Sequence, residues 1–398
     1  MHGPRQARRG SSLNDPGLIL DGSVLIRDGL IQDVGPTRRV ENLIMARDAI
    51  EINVPGRVVM PGFVDCHTHL AFPPPGWAPT DSGSAMNAVR TATAKTLAIQ
   101  MRRYLAAMAR HGTTTVEAKA GCGGGKSAEM KLLRGLSLAK SGPIDVVPTF
   151  LLRLPAEGAS PDPAEIAIDW ACEFLPLACR RHLVQFADIE WSADENRVRL
   201  IRRYLEKASQ LGLGSRIHAD GDGSATAALV VAELRLSGLD HLERIFTADS
   251  VKLVASGPMI TLLPAWAFQT GSAQAPARAL VDAGAAVALG SNFNRAESPM
   301  LNMQATVSLA CREMGLTPAE ALVAATVNGA HALGRASNAG SIELGMPADL
   351  IVLNTSDYRD LSYHSGTNLV HLTMKRGEFI YQEGDVAPLP AEQLRLGW

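Results

Sequence analysis

The 398-residue sequence has no CxxC pair, no long uninterrupted apolar run and no surplus of either charge. Its five cysteines, Cys66, Cys122, Cys172, Cys179 and Cys311, are scattered and odd in number, which argues against a disulfide framework and for reduced thiols. Cys172 and Cys179 lie seven apart in a helical stretch and are expected to share one buried face rather than a metal. No stretch approaches the roughly 18 apolar residues of a membrane span, so no membrane partner is expected. With 38 basic against 40 acidic residues the net charge is −2, which leaves no global field to draw in nucleic acid and favours a small-molecule partner. The basic segment Met1 to Gly10 has neither an apolar core nor a small-residue cleavage site, so it is not a secretory signal, and a cytoplasmic location is expected. Fixed-period repeats and low-complexity tracts are also missing.

What remains is a globular chain, 46% hydrophobic, large enough for one barrel-sized domain with an appendage. Short Gly-punctuated apolar runs fill residues 17 to 60, as in Gly22-Ser-Val-Leu-Ile-Arg-Asp-Gly29, and the texture returns after Gly340. The two ends, 1–58 and 339–398, are expected to build one composite β-sandwich domain. Between them, eight strand candidates alternate with helical patterns: Val58 to Leu70, Thr113 to Ala118, Asp145 to Leu152, Phe186 to Trp191, Ser215 to Asp220, Gly238 to Glu243, Met259 to Pro264 and Ala285 to Ser291. Eight βα units in residues 59–338 predict an α/β fold, a (β/α)8 TIM-like barrel, whose chemistry belongs at the C-terminal ends of its strands.

The strongest local signal is Pro61-Gly-Phe-Val-Asp-Cys-His-Thr-His-Leu70, where two extended-chain histidines two apart face the same side. His218 closes the fifth strand, His241 the sixth, and Asn292 follows the eighth. Four histidines at three strand tips are an improbable core. They suggest His67, His69 and His218 as neutral nitrogen ligands of one divalent metal, with His241 close enough to move a proton or polarise a carbonyl. The other histidines look incidental; His111 ends a helix, where a cation suits the dipole. Gly121-Cys-Gly-Gly-Gly-Lys-Ser127 imitates a phosphate loop, but Ala120 stands where that motif needs glycine, and a βα loop at the rim of the site is the better reading.

These residues resemble the imidazolonepropionases, amidohydrolase-superfamily enzymes of histidine degradation that open the imidazolone ring. The likeness runs through the HTHL segment, Gly112-Thr-Thr-Thr-Val-Glu-Ala-Lys119, Asp145-Val-Val-Pro-Thr-Phe-Leu151, His218-Ala-Asp220, Asp240-His-Leu-Glu243 and Ser298-Pro-Met-Leu-Asn-Met-Gln304. It implies one zinc or iron ion on His67, His69 and His218, a catalytic His241, and hydrolysis of a cyclic amide or amidine, with a homodimer as one expected assembly. Family chains usually carry one more leading strand, so the expectation is either a small domain one strand short or a misplaced start site.

The departures cluster at the site. Asn292 stands where the family has the aspartate that ligates the metal and shuttles the proton. No arginine follows HTHL in Ala71 to Trp77, Cys122 replaces a loop tyrosine, Leu151-Leu-Arg-Leu-Pro155 lacks a histidine, and Gly221 follows His218-Ala-Asp220. Asn294 matches, and Asn294, Cys122 and Glu297 are the expected substrate contacts, with His241 and Asn292 as catalytic positions. Asp222, Glu297 or His241 could supply the missing base, and Arg153 or Arg295 the missing cation. Two expectations follow: a hydrolase with an altered substrate, or a catalytically silent amidohydrolase-fold binding protein.

Overall fold

A computed structural model describes residues 6–71, 89–121, 125–155, 162–219, 224–243, 257–294 and 298–384. Cys122, Asp222, Arg295 and Glu297 therefore lie outside the described residues. Strands β1 (Gly22–Arg27) and β2 (Leu30–Pro36) form an antiparallel hairpin, and β3 (Val58–Pro61) leads into the central sheet. That sheet comprises β4 (Phe63–Asp65), β5 (Thr113–Ala120), β6 (Asp145–Leu152), β7 (Phe186–Glu190), β8 (Gly214–His218), β9 (Gly238–Asp240), β10 (Met259–Leu262) and β11 (Val287–Leu289), which pair in chain order and in parallel. After it come β12 (Leu350–Leu353), β13 (Val370–Lys375) and β14 (Glu378–Gln382).

Amphipathic helices cover the parallel sheet. The helix Ala94–Arg110 buries Leu97, Met101, Leu105 and Met108, spaced three or four apart on one face, and starts where the Thr93 side chain accepts from the Thr96 amide. Helices Pro163–Arg180 and Glu195–Gln210 begin likewise at Asp162 and Asp194, whose carboxylates accept first-turn amides. Cys172 and Cys179 share the first of these helices but are only half-buried against the main core. The four described cysteines are unpaired.

β4 and β11 stand at the two edges of the parallel sheet, and the barrel closes just beyond their ends. Asn292 donates its amide to the His67 carbonyl at 2.9 Å, His69 donates to Phe293 at 2.8 Å, and Thr68 bridges Phe293 in parallel. Gly290 permits this approach, because a Cβ there would stand 2.6 Å from that of His67.

The expected first barrel strand, Val58 to Leu70, is two strands. β3 pairs antiparallel with β12, from Leu350 opposite Pro61 to Leu353 opposite Val58, and stays with the sheet β14-β13-β12-β3. The chain changes sheet at Gly62, whose amide donates to Asp349 while the next amide, of Phe63, donates to Gly112. A side chain at residue 62 would collide with Thr114 at 2.2 Å, so only glycine allows the crossing. The hairpin and the four-stranded sheet share one apolar cluster of Ile31, Met346, Leu350, Val352, Leu372 and Met374, backed by Val24, Ile26, Val34 and Val59.

Candidate metal centre

Period-two alternation inside the barrel strands places polar side chains in the lumen. β5 contributes Glu117 and Lys119, β7 Asp188, β8 Arg216 and His218, and β9 Asp240, all buried. His67 and His69 follow the end of β4, and His241 and Asn292 lie just past β9 and β11. His241 (φ 62°) and Asn292 (φ 50°) both hold the left-handed backbone conformation, an uncommon one that concentrates at functional turns.

The four histidine rings meet at the barrel mouth. Ring centroids are 4.3 Å apart for His218 and His241, 5.1 Å for His67 and His218, and 5.3 Å for His67 and His241. His69 stands 5.4 Å from His67 and 6.0 Å from His218. Among the described residues, nitrogens of His67, His218 and His241 lie within 4.8 Å of one another. His241 also has its Nδ1 3.3 Å from Glu243 Oε2 and its ring edge-on to Trp266.

Beneath the rings lies a buried ion network. The Lys119 ammonium sits 2.6 Å from Asp188 Oδ2, 3.1 Å from Glu117 Oε2 and 3.3 Å from Asp240 Oδ2. The Arg216 guanidinium adds contacts of 3.6 Å to Glu117 and 3.5 Å to Asp240, and donates to the carbonyls of Cys66 and Ala332. Burial alone would raise the Asp240 carboxyl, yet Lys119, Arg216 and His67 outweigh it and hold Asp240 well below the usual carboxylate range. Asp188 is likewise held ionised, against its burial, by Lys119 and His218.

This network determines how His67 presents itself. An ionised Asp240 can only accept, so His67 Nδ1, 2.9 Å from Asp240 Oδ2, is the protonated nitrogen. Nε2 is then left with a lone pair, and it is buried with no hydrogen-bond partner among the described residues. Burial, followed by the Lys119 charge, holds the His67 ring neutral, and burial does the same for His69. His218 Nδ1 lies 3.7 Å from Asp188 Oδ2 and also has no hydrogen-bond partner among the described residues. A neutral imidazole with an unused nitrogen, oriented by a carboxylate behind it as His67 is by Asp240, is the donor chemistry of a divalent metal site. Asn292 Oδ1, buried at the same mouth, is also unsatisfied among the described residues.

Behind this face Asp65 accepts from the amide and hydroxyl of Ser291 at 2.9 and 2.6 Å, anchoring the turn that carries Asn292. Burial pushes the Asp65 carboxyl up to about 7. Asn294 is buried one residue after the closing bridge. Arg153, just past β6, pairs with Glu190 at 3.0 Å and remains 45% exposed at the rim. His111 caps its helix as expected, but partial burial lowers its pKa, so a half-buried ring that favours the neutral form replaces the cation expected there.

Reading strand tips found the histidines and Asn292 but passed over Glu117, Lys119, Asp188, Arg216 and Asp240. Their signal was available as charged residues at period two in otherwise apolar strands, as in Thr-Thr-Thr-Val-Glu-Ala-Lys.

The amidohydrolase family model matches residues 83–381. An imidazolonepropionase from Parabacteroides distasonis is 37% identical over 95% of this chain and 95% of its own, and one from Symbiobacterium thermophilum 36% over 95% and 94%. In fold the chain is similar to an adenosine deaminase from Xanthomonas campestris crystallised with zinc (TM-score 0.70, 20% identity, 96% of this chain and 94% of that one). It is also similar to a 5-methylcytosine deaminase from Klebsiella pneumoniae (TM-score 0.70, 16% identity, 91% and 95%). The chain belongs to the amidohydrolase family, as a member resembling the imidazolonepropionases.

Proposed function

We propose that the chain hydrolyses a carbon–nitrogen bond of a cyclic amide or amidine with the help of one divalent ion, in a reaction nearest that of the imidazolonepropionases. The observation that carries this reading is His67 Nε2, buried and unsatisfied among the described residues, with its ring turned by Asp240 toward His218. His67, His69 and His218 would hold the ion, zinc or ferrous iron, both of which suit imidazole nitrogen. When bound, the ion supplies Lewis acidity, which brings a water molecule to reactivity near neutral pH and polarises a carbonyl.

The protein's own groups supply the rest. Asp240 keeps His67 in one tautomer, and His241, backed by Glu243, can hold or pass a proton at Nδ1 or Nε2. Asn292 can orient a substrate or water through its amide but cannot accept a proton. Asn294 stands beside it as a substrate contact, and Cys122 and Glu297 are proposed to complete the rim. The loss of the family's aspartate at Asn292 favours a second reading, in which the fold binds a metabolite without turning it over. Among the described residues no helix is long and apolar enough to cross a membrane. The unpaired thiols support a cytoplasmic home.

The test is metal analysis of the purified chain followed by assay on a panel of cyclic amides and amidines that includes imidazolonepropionate. One divalent ion per chain and turnover of a panel member are expected. A chain that takes up no zinc overturns the metal-dependent hydrolase, and a loaded chain that binds panel members without turnover establishes the silent reading.

A further inference from the structure

Among the described residues, three groups of side chains could hold an ion: His67, His218 and His241; His67, Glu117 and Asp240; and Asp188, His218 and Asp240. The last two share Asp240, and each brings two carboxylates together in the floor of the lumen. The Lys119 ammonium lies against every carboxylate of both, at 2.6 to 3.3 Å from Asp188, Glu117 and Asp240. Lys119, Glu117, Asp188 and Asp240 are all fully enclosed, with side-chain exposures of 0%.

Three buried carboxylates around one point need positive charge, because water does not reach them to disperse their repulsion. Arg216 approaches from one side at 3.5 to 3.6 Å, so Lys119 is the cation at the centre. Even with both cations, Asp240 Oδ1 is buried with no hydrogen-bond partner among the described residues, an acceptor beyond what the ammonium uses. An ammonium and a divalent ion compete for such a place by charge, but an ammonium carries its own tether and needs no uptake from solvent.

We propose that Lys119 fills what is otherwise a second divalent-cation site, formed by Glu117, Asp188 and Asp240, and thereby keeps the centre mononuclear. The inference rests on the metal reading above for its first ion but concerns a different set of residues. Lys119 is a positioning residue: it leaves Asp240 free to accept from His67 instead of ligating an ion. The vacated pocket is rich in carboxylate oxygen and would prefer a hard ion such as manganese, whereas the histidine set above prefers zinc.

The experiment compares wild type with Lys119→Met, both stripped with a chelator, loaded with one equivalent of zinc and then titrated with manganese, the free ion being followed by its electron paramagnetic resonance. Wild type should take one zinc and no manganese. The variant should take one zinc and one manganese, and manganese should raise its Tm. If the variant does not fold without an ion, manganese should restore its fold. Lys119→Met/Asp188→Asn, with one carboxylate neutralised, should fold without manganese and bind none. A folded Lys119→Met chain that takes no manganese, one whose fold manganese does not restore, or a wild type that binds zinc and manganese together would each overturn the proposal. A wild type that takes no zinc defeats the metal reading instead, and the manganese comparison still decides the role of Lys119.

Discussion

His67 donates through Nδ1 to Asp240 Oδ2 at 2.9 Å, with both side chains fully buried. That bond joins the histidine layer at the mouth of the barrel to the ion network beneath it. Asp240 can act as a pure acceptor because Lys119 and Arg216 lie within 3.5 Å of the same oxygen. Orientation of the first histidine therefore depends on charges contributed by β5, β8 and β9, far from it in sequence.

Replacing Asp240 with Ala should weaken zinc binding by about 10- to 100-fold, the usual effect of removing a carboxylate behind a ligating histidine. It should also destabilise the fold by roughly 3–5 kcal/mol, since Lys119 and Arg216 lose a buried partner. Competition against a chelating dye, with Tm measured alongside, checks both. Zinc affinity equal to wild type would mean that Asp240 does not set the His67 tautomer.

The third histidine ligand can be identified by metal content. His69→Ala is expected to lose zinc along with His67→Ala and His218→Ala, whereas His241→Ala should keep zinc and lose turnover. The distances make this a sharp comparison, because His241 lies nearer His218 than His69 does, at 4.3 Å against 6.0 Å between ring centroids. If His241→Ala empties the site and His69→Ala does not, His241 is the ligand.

Much of this was legible in the sequence for a physical reason. Eight short apolar runs alternating with amphipathic stretches are what a barrel requires, and the barrel rule then directs attention to strand tips, where His67, His218, His241 and Asn292 sit. Lys119 was not legible as the centre of a network. A charged residue in a strand reads as solvated unless its partners are known, and those partners, Asp188 and Asp240, are 69 and 121 residues away. The division of Val58 to Leu70 into two strands was hidden as well, since both halves are apolar and only the packing of Gly62 on Thr114 reveals the change of sheet.

The junction between the small sheet and the barrel makes a pH prediction. Asp145, at the start of β6, meets Lys375 at 2.9 Å and Arg376 at 2.7 Å, next to β12 and β13. Burial would raise its pKa, but Lys375 and Arg376 together lower it below the ordinary 3.8. A depressed carboxyl stabilises the fold fully above its unfolded value and loses that contribution as pH falls through the folded one. Asp145→Asn should therefore cost about 1 kcal/mol at pH 7, a modest value because the side chain is 40% exposed. Its stability should converge with that of wild type below pH 3.8. Urea unfolding at pH 7 and at a series of values falling below 3.8 tests this, and a gap that does not narrow as the pH falls would assign the loss to packing.

Imidazolonepropionate should be a poor substrate. The segment after HTHL offers no arginine for its carboxylate, and Arg153 is engaged with Glu190 at 3.0 Å. Loss of a charge pair in a closed site corresponds to about 10² to 10⁴ in kcat/KM. The Parabacteroides distasonis relative assayed beside this chain supplies the reference. Equal efficiency would show that another cation, such as Arg153 released from Glu190, has taken over, and Arg153→Gln would then abolish it.

Asn292 offers the most direct test of catalytic competence. Its backbone N–H donates to the His67 carbonyl, its backbone holds φ 50°, and Ser291 beside it is tied to Asp65, so the turn is held from both sides. The residue is 2% exposed, and its Oδ1 is unsatisfied among the described residues. Aspartate is nearly the same size and also tolerates the left-handed conformation, so Asn292→Asp should fold as wild type does. The new carboxylate adds a charge that favours a nearby cation and a base that can accept a proton. If the remaining machinery is competent, zinc should bind more tightly and turnover of any responsive amide should rise by about 10², the ordinary worth of a positioned base. The comparison requires zinc occupancy to be measured in both proteins, because tighter binding alone raises activity at limiting metal. A tenfold fall in turnover at full occupancy would mean that the asparagine amide itself takes part in the reaction, orienting a group that a carboxylate repels.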